Sequence, residues 1–145
     1  MSPIRRSAEG TPADASPSAP KPRVLLADDN GATRLIARAL LARAGCTVTE
    51  SKDGEQVLEL VRAGHEFDLA IFDLNMPVIG GRTLLRTMRA EQLLLSMPVM
   101  ILTASSDGDL ERELRAEGID DFLLKPFDPD DFIERVRATL LRAAA

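Results

Sequence analysis

With 145 residues, 45% of them hydrophobic, the chain has the apolar material for one domain with a real core and too little length for two of ordinary size. Its formal net charge of -5 argues against a general nucleic-acid surface, which needs clustered Lys and Arg, and suits a site that collects a cation. A single cysteine, Cys46, excludes an internal disulfide framework; no run reaches membrane-spanning length and no hydrophobic segment follows Arg5 and Arg6, so a cytoplasmic chain without signal peptide or anchor is expected.

Residues 1 to 22 hold Pro3, Pro12, Pro17, Pro20 and Pro22 among Ser, Ala and Thr, with few large apolar side chains. Such a stretch cannot bury enough surface to offset its ordering entropy, so it reads as a disordered tail or linker. From Arg23 the pattern turns to alternating strands and helices. Val24 to Ala27 is a short apolar strand ending at Asp28, Asp29 and Asn30. Thr33 to Ala44 follows as a helix, with Leu35, Ile36, Ala39 and Leu40 expected on one apolar face and Arg34, Arg38 and Arg43 away from it. Gly45 stops that helix. Cys46 to Glu50 alternates as a strand, the thiol reading as a small core side chain, and Val57, Leu58 and Val61 mark a second helix running to Gly64. His65, in a Gly-His-Glu loop, reads as a solvated surface residue.

Leu69 to Phe72 is the central buried strand, with Asp73 where it ends. Pro77 and the Gly80-Gly81 pair then interrupt regular structure and leave Asp73 and Asn75 on a loop. Thr83 to Ala90 carries Leu84, Leu85 and Met88 on a third helix, and Pro98 opens a fourth strand, Val99 to Leu102, that ends in Thr103 and Ala104. A fourth helix, about Asp109 to Glu117, has few apolar residues to mark it before Gly118. Phe122 to Leu124 is the fifth strand and ends at Lys125-Pro126. Asp128 and Pro129, a cap and a first-turn proline, open the last helix, packed by Phe132, Ile133, Val136 and Leu140.

Five short strands alternating with five helices through short loops call for an α/β fold, a doubly wound parallel sheet covered on both faces. All strand carboxyl ends then lie on one edge, and those ends carry Asp28, Asp29, Asp73, Thr103 and Lys125. In the strand order 2-1-3-4-5 the crevice opens between the first and third strands, which puts Asp28 and Asp29 beside Asp73. Three close carboxylates repel unless a cation sits among them, and oxygen-only ligands point to Mg²⁺. Lys125 supplies a compact positive charge, Thr103 a hydroxyl, and the small Ala104 leaves room for an incoming group. Taken singly, a strand-end Asp also serves as a cap, a Thr as a strand former and a Lys as a surface cation. Their convergence on one edge is what favours function.

The segments LLADDN, IFDLNMP, ILTA and FLLKPF, in this order and at these separations, resemble the receiver domain of two-component response regulators over residues 23 to about 142. The resemblance implies a flavodoxin-like fold in which Asp73 accepts a phosphoryl group from a phosphohistidine, carried by a histidine kinase or a histidine phosphotransfer protein. It implies that Mg²⁺ is held by Asp28, Asp29 and Asp73, with Asp29 a direct ligand and the Asn75 backbone carbonyl contributing. It assigns Thr103 and Lys125 to phosphoryl contact, gives Phe122 an inward swing on phosphorylation, and places a cis peptide bond at Lys125 to Pro126. Output would pass through the surface of the fourth helix, fifth strand and fifth helix to a downstream protein or an attached output domain. A phosphorylation-dependent dimer is compatible with it; nucleic acid and membrane are not expected as direct partners. Phe122 lacks the hydroxyl that many relatives carry there, Gly80 stands where Asp is frequent, and Asn75 and Ser105 occupy positions that tune the lifetime of the phosphate. The Asp-Asp-Asn start followed by Arg34 is similar to receivers attached to hybrid sensor kinases.

The residues suit that chemistry on their own terms, since an aspartyl-phosphate needs a carboxylate nucleophile, a cation to neutralise the incoming oxygens and donors for the transition state. A rival reading is a Mg²⁺-dependent aspartyl-phosphate phosphatase, but such enzymes resemble a strand-end Asp-x-Asp pair where this chain has Asp73-x-Asn75. Another is an interaction module of the same fold that works without phosphorylation; it would be marked by loss of the acceptor or the lysine, and both are kept. A nucleotide or flavin binder would need a Gly-rich phosphate loop after the first strand. The expectation is therefore a regulatory domain rather than an enzyme, with at most slow self-dephosphorylation.

Overall fold

The computed structural model describes residues 20–94, 97–105 and 107–144. Strands and helices alternate through them as β1 (Arg23–Ala27), α1 (Gly31–Arg43), β2 (Thr47–Ser51), α2 (Gly54–Arg62), β3 (Leu69–Asp73), α3 (Gly81–Ala90), β4 (Val99–Thr103), α4 (Gly108–Ala116), β5 (Asp121–Leu124) and α5 (Pro129–Ala144). The strands form one sheet in the order β2-β1-β3-β4-β5, and every neighbouring pair is parallel. This is the doubly wound five-stranded arrangement that the alternation of elements predicts. Among the described residues, no helix is long and apolar enough to cross a membrane.

Both faces of the sheet are covered at its centre, which explains why β1, β3 and β4 read as apolar runs while the edge strand β2, TVTES, does not. Their side-chain alternation sends Val24, Leu26, Leu69, Ile71, Met100, Leu102 and Leu123 to the face packed by Ala37, Leu40 and Leu41 of α1 and Phe132 and Val136 of α5. The opposite set, among them Leu25, Phe72, Ile101 and Phe122, meets Val57, Leu58 and Val61 of α2, Leu84, Leu85 and Met88 of α3, and Leu114 of α4. Cys46 is buried just before β2, and burial pushes its thiol above the ordinary value.

Several local expectations are corrected. In α1 the buried face is Ala37, Leu40 and Leu41, while Leu35 and Ile36 are 65% and 53% exposed. The helix carries two apolar stripes, and with the Ala37, Leu40 and Leu41 stripe packed on the sheet, Arg34 turns inward to its end and donates to the Asp28 carbonyl. Asp73 is the last residue of its strand rather than a loop residue. Regular structure begins at Gly81 instead of being interrupted there: Gly80 caps α3, and a Cβ at Gly81 would lie 2.5 Å from the Asp73 carbonyl oxygen. Glycine is what lets the helix start against the backbone of the central strand. The reading of residues 1–22 as a tail lies outside the described residues except at 20–22, where the Pro22 carbonyl accepts from Thr47 N at 2.8 Å.

Two polar features frame the last strand. Asp128 caps α5, its Oδ2 accepting from Asp131 N at 2.9 Å. The buried Asp121 uses a single oxygen, Oδ1, to accept from Phe122 N (2.8 Å), from Arg135 of α5 (2.9 Å) and from Arg115 of α4 (3.2 Å).

Candidate functional site

Four strand ends build the site. At the end of β1, Asp28 is fully buried, and its backbone N donates to the Ser51 carbonyl at 3.1 Å. Asp28 Oδ1 accepts from Asn30 N at 2.9 Å, and Asn30 Oδ1 in turn accepts from Thr33 N at 2.9 Å to cap α1. Asp29, between them, is exposed. At the end of β3, Asp73 is buried and its Oδ1 accepts from Asn75 N at 3.2 Å. Register sets Asp73 opposite Leu102, so the buried Thr103 follows immediately alongside. The Thr103 hydroxyl oxygen accepts from Ser105 N at 3.1 Å.

Lys125 arrives because its backbone N donates to the Thr103 carbonyl at 2.8 Å, just past the Thr103 to Leu124 register pair. The Lys125-Pro126 peptide bond is cis. The ammonium lies 2.8 Å from Asp28 Oδ2 and 3.3 Å from Asp73 Oδ2. Carboxylate oxygens of Asp28, Asp29 and Asp73 lie within 4.8 Å of one another. One ammonium against three acids leaves an excess of negative charge, and the titration behaviour follows. Burial, and then the Asp28 charge, push the Asp73 carboxyl up to about 6, against the opposing pull of Asn75 N and Lys125. For Lys125, burial pulls the ammonium down, but the contacts to Asp28 and Asp73 outweigh it and hold the group above its ordinary value.

The donor set fits a hard divalent cation. Asp28 Oδ2 is buried with the Lys125 ammonium at 2.8 Å as its counter-ion and is left out of the backbone hydrogen bonds that hold Oδ1. Three carboxylates that share one ammonium and offer only oxygen ligands, with exposed Asp29 at the mouth, suit Mg²⁺ and the waters it keeps. A groove of about 860 Å³ lies at the opposite, amino edge of the sheet, lined by Phe67, Leu93 and Leu140, and is remote from these acids.

The structure thus brings Asp28, Asp29, Asp73 and Lys125 together, with Thr103 beside them and Asn75 on the adjoining loop. Phe122 is set apart: it packs on the face of the sheet at 6% exposure, already inward. His65 is exposed. Sequence reasoning missed Arg34, which it turned away from the sheet and which instead donates to Asp28 O and to Glu50. A signal was present, since α1 contains no acid to pair its arginines along the helix. It also missed the seating of α2 on the loop after Asp73, where a Cβ at Gly54 would lie 2.7 Å from the Ile79 carbonyl oxygen.

Comparison with known proteins agrees with this geometry. Residues 24–137 match the family model described as the response regulator receiver domain. The chain is 36% identical over 121 residues to the cell cycle transcriptional regulator CtrA of Caulobacter vibrioides, covering 83% of this chain and 51% of that protein. The chain therefore spans about half the length of the first curated relatives it matches. It is also 34% identical to the chemotaxis protein CheY of Pseudomonas aeruginosa, over 79% of this chain and 92% of that one. Among solved structures, the receiver domain of the Francisella response regulator 1452 superposes with a TM-score of 0.78 at 31% identity, covering 84% of this chain and 98% of that one. A cluster of acids and one lysine at the carboxyl edge of a 2-1-3-4-5 sheet, matched over most of the chain, places this protein in the response regulator receiver domain family of two-component signalling.

Proposed function

We propose that Asp73 takes a phosphoryl group from the phosphohistidine of a histidine kinase or a histidine phosphotransfer protein, with Mg²⁺ held by Asp28, Asp29, Asp73 and the Asn75 backbone carbonyl. The change is passed to a downstream protein or an attached output domain through the surface of α4, β5 and α5. A cytoplasmic setting belongs to the same proposal. The observation that carries it is the Lys125 ammonium poised between two carboxylates, 2.8 Å from Asp28 and 3.3 Å from Asp73.

An Asp73 oxygen attacks phosphorus, a P–O bond forms, and the P–N bond breaks with its electron pair leaving on the imidazole, which stays neutral by taking a proton from solvent. Burial and the Asp28 charge raise the Asp73 carboxyl in the metal-free site, and a cation bound among the acids would favour its ionised, nucleophilic form. Lys125 is placed to exchange its hold on Asp73 for the phosphoryl oxygens. Thr103 Oγ1 already accepts from Ser105 N, so its O–H is free to donate to the same group. Mg²⁺, when bound, supplies positive charge against the transferred oxygens. The exposed Leu35 and Ile36 of α1 lie on the helix that starts beside the acidic pocket, a surface suited to the body of the donor. Asn75, where a hydrolase would use an acid, favours a phosphoprotein over a turnover enzyme.

Incubation with a small phosphodonor and Mg²⁺ is expected to add one phosphoryl group to the wild-type chain and none to Asp73→Asn. Equal labelling of the two would overturn the assignment.

A further inference from the structure

Arg34 sits in the first turns of α1, partly buried, with its guanidinium divided between two acceptors. One arm, Nη1, donates to the Asp28 carbonyl at 2.7 Å. Another, Nε, donates to Glu50 Oε1 at 3.1 Å. Glu50 is in β2, beside Leu26 in register, and its other oxygen is 3.2 Å from Arg38 Nε. Glu50 is shared between Arg34 and Arg38 and so offsets part of the Arg34 charge, while Nη1 reaches a backbone carbonyl, not a carboxylate, on the loop that carries the acids.

That donor completes the fixing of Asp28. The backbone N of Asp28 is held by Ser51 O, its carbonyl by Arg34, and its Oδ1 by Asn30 N. Oδ2 is the one group of Asp28 turned to the pocket, where it meets the Lys125 ammonium at 2.8 Å. With every other group of Asp28 engaged, rotation of the turn is blocked, Oδ2 stays in the pocket, and Asp29 is carried to the mouth. We propose that Arg34 is a positioning residue that holds the Asp28-Asp29 turn in its cation-binding shape, with Glu50 keeping the arginine from neutralising the pocket. This rests on the reading of the acidic cluster as a Mg²⁺ site. A planar fork serving two divergent acceptors is a task that a lysine ammonium cannot reproduce.

Charge alone would act in the opposite direction, which makes the test sharp. Removing a nearby cation should tighten Mg²⁺ binding if Arg34 acted only through its field. Mg²⁺ titration calorimetry on the full chain would compare wild type with Arg34→Gln, Arg34→Lys, Glu50→Gln and Asp29→Asn. Positioning predicts that Arg34→Gln and Arg34→Lys both weaken Mg²⁺ by about tenfold, the size of a lost supporting contact, with the metal-free melting temperature little changed. Glu50→Gln, which frees the arginine to turn toward the acids, should weaken binding as well. Tighter or unchanged binding in Arg34→Gln, or wild-type affinity in Arg34→Lys, would overturn the proposal even if one of the two failed to fold. Unchanged affinity in Asp29→Asn would instead overturn the Mg²⁺ assignment beneath it, so the two failures are distinguishable.

Discussion

The helices α4 and α5 both flank the last strand, yet they are attached by different forces. In α5 the buried residues are Phe132, Val136 and Thr139, and the Phe132 ring stacks on Phe127 with centroids 4.8 Å apart. In α4 the one buried residue is Leu114. The orientation of α4 is set in addition by arginines of α3: Arg82 Nη2 is 3.0 Å from Glu113 and 2.6 Å from Glu117, and Arg86 Nη2 is 2.9 Å from Glu117. Arg86 and then Arg82 hold the Glu117 carboxyl down at about 2. Partly exposed ion pairs give direction but little net free energy, whereas apolar burial is strong and insensitive to salt. The difference teaches that α5 is an anchor and α4 the more lightly held helix, an arrangement that would suit the output surface proposed above.

The largest effect should come from the anchor. Phe132→Ala is expected to cost about 3–5 kcal/mol in urea unfolding, and a loss no larger than that of a surface variant would break the contrast. Replacing Arg82 and Arg86 together by Gln should cost about 1 kcal/mol or less overall, while accelerating amide exchange in α4 and leaving α5 protected. Uniform acceleration across both helices would show that the arginines stabilise the whole domain rather than one helix. Acid should act in the same way: Glu117, lowered in the folded state, contributes its full share above its ordinary range near 4.5 and loses it as pH falls toward about 2, so α4 should loosen first in that window. The smallest effect is expected from removing residues 1–19, which should leave the melting transition nearly in place. A large drop would show that this segment packs on the domain.

The same contrast explains what could be read in advance. The start of α5 was legible because Asp128 and Pro129 are local signals and Phe132 and Val136 repeat at helical spacing. The helix α4 was only loosely marked, since Glu113 and Glu117 pair with Arg82 and Arg86 of another helix, and no periodicity within a single helix reports that. The candidate site was legible for a topological reason: parallel strands must deliver Asp28, Asp73, Thr103 and Lys125 to one edge. The rotation of α1 was not. Its two apolar stripes, one through Leu35 and Ile36 and one through Ala37 and Leu40, are equivalent at the level of pattern. The ties that accompany the buried stripe run from Arg34 to Glu50 and to the Asp28 carbonyl, outside the helix, where no pattern within α1 reports them.

Asp121 offers one oxygen to two arginines on rival helices, Arg115 at 3.2 Å and Arg135 at 2.9 Å. If α4 shifts and Arg115 departs, the anion is not stranded, because Arg135 and the Phe122 amide remain to hold it. The last strand therefore has a spare counter-ion built into it, and one helix can leave its berth without exposing the other to an unbalanced charge.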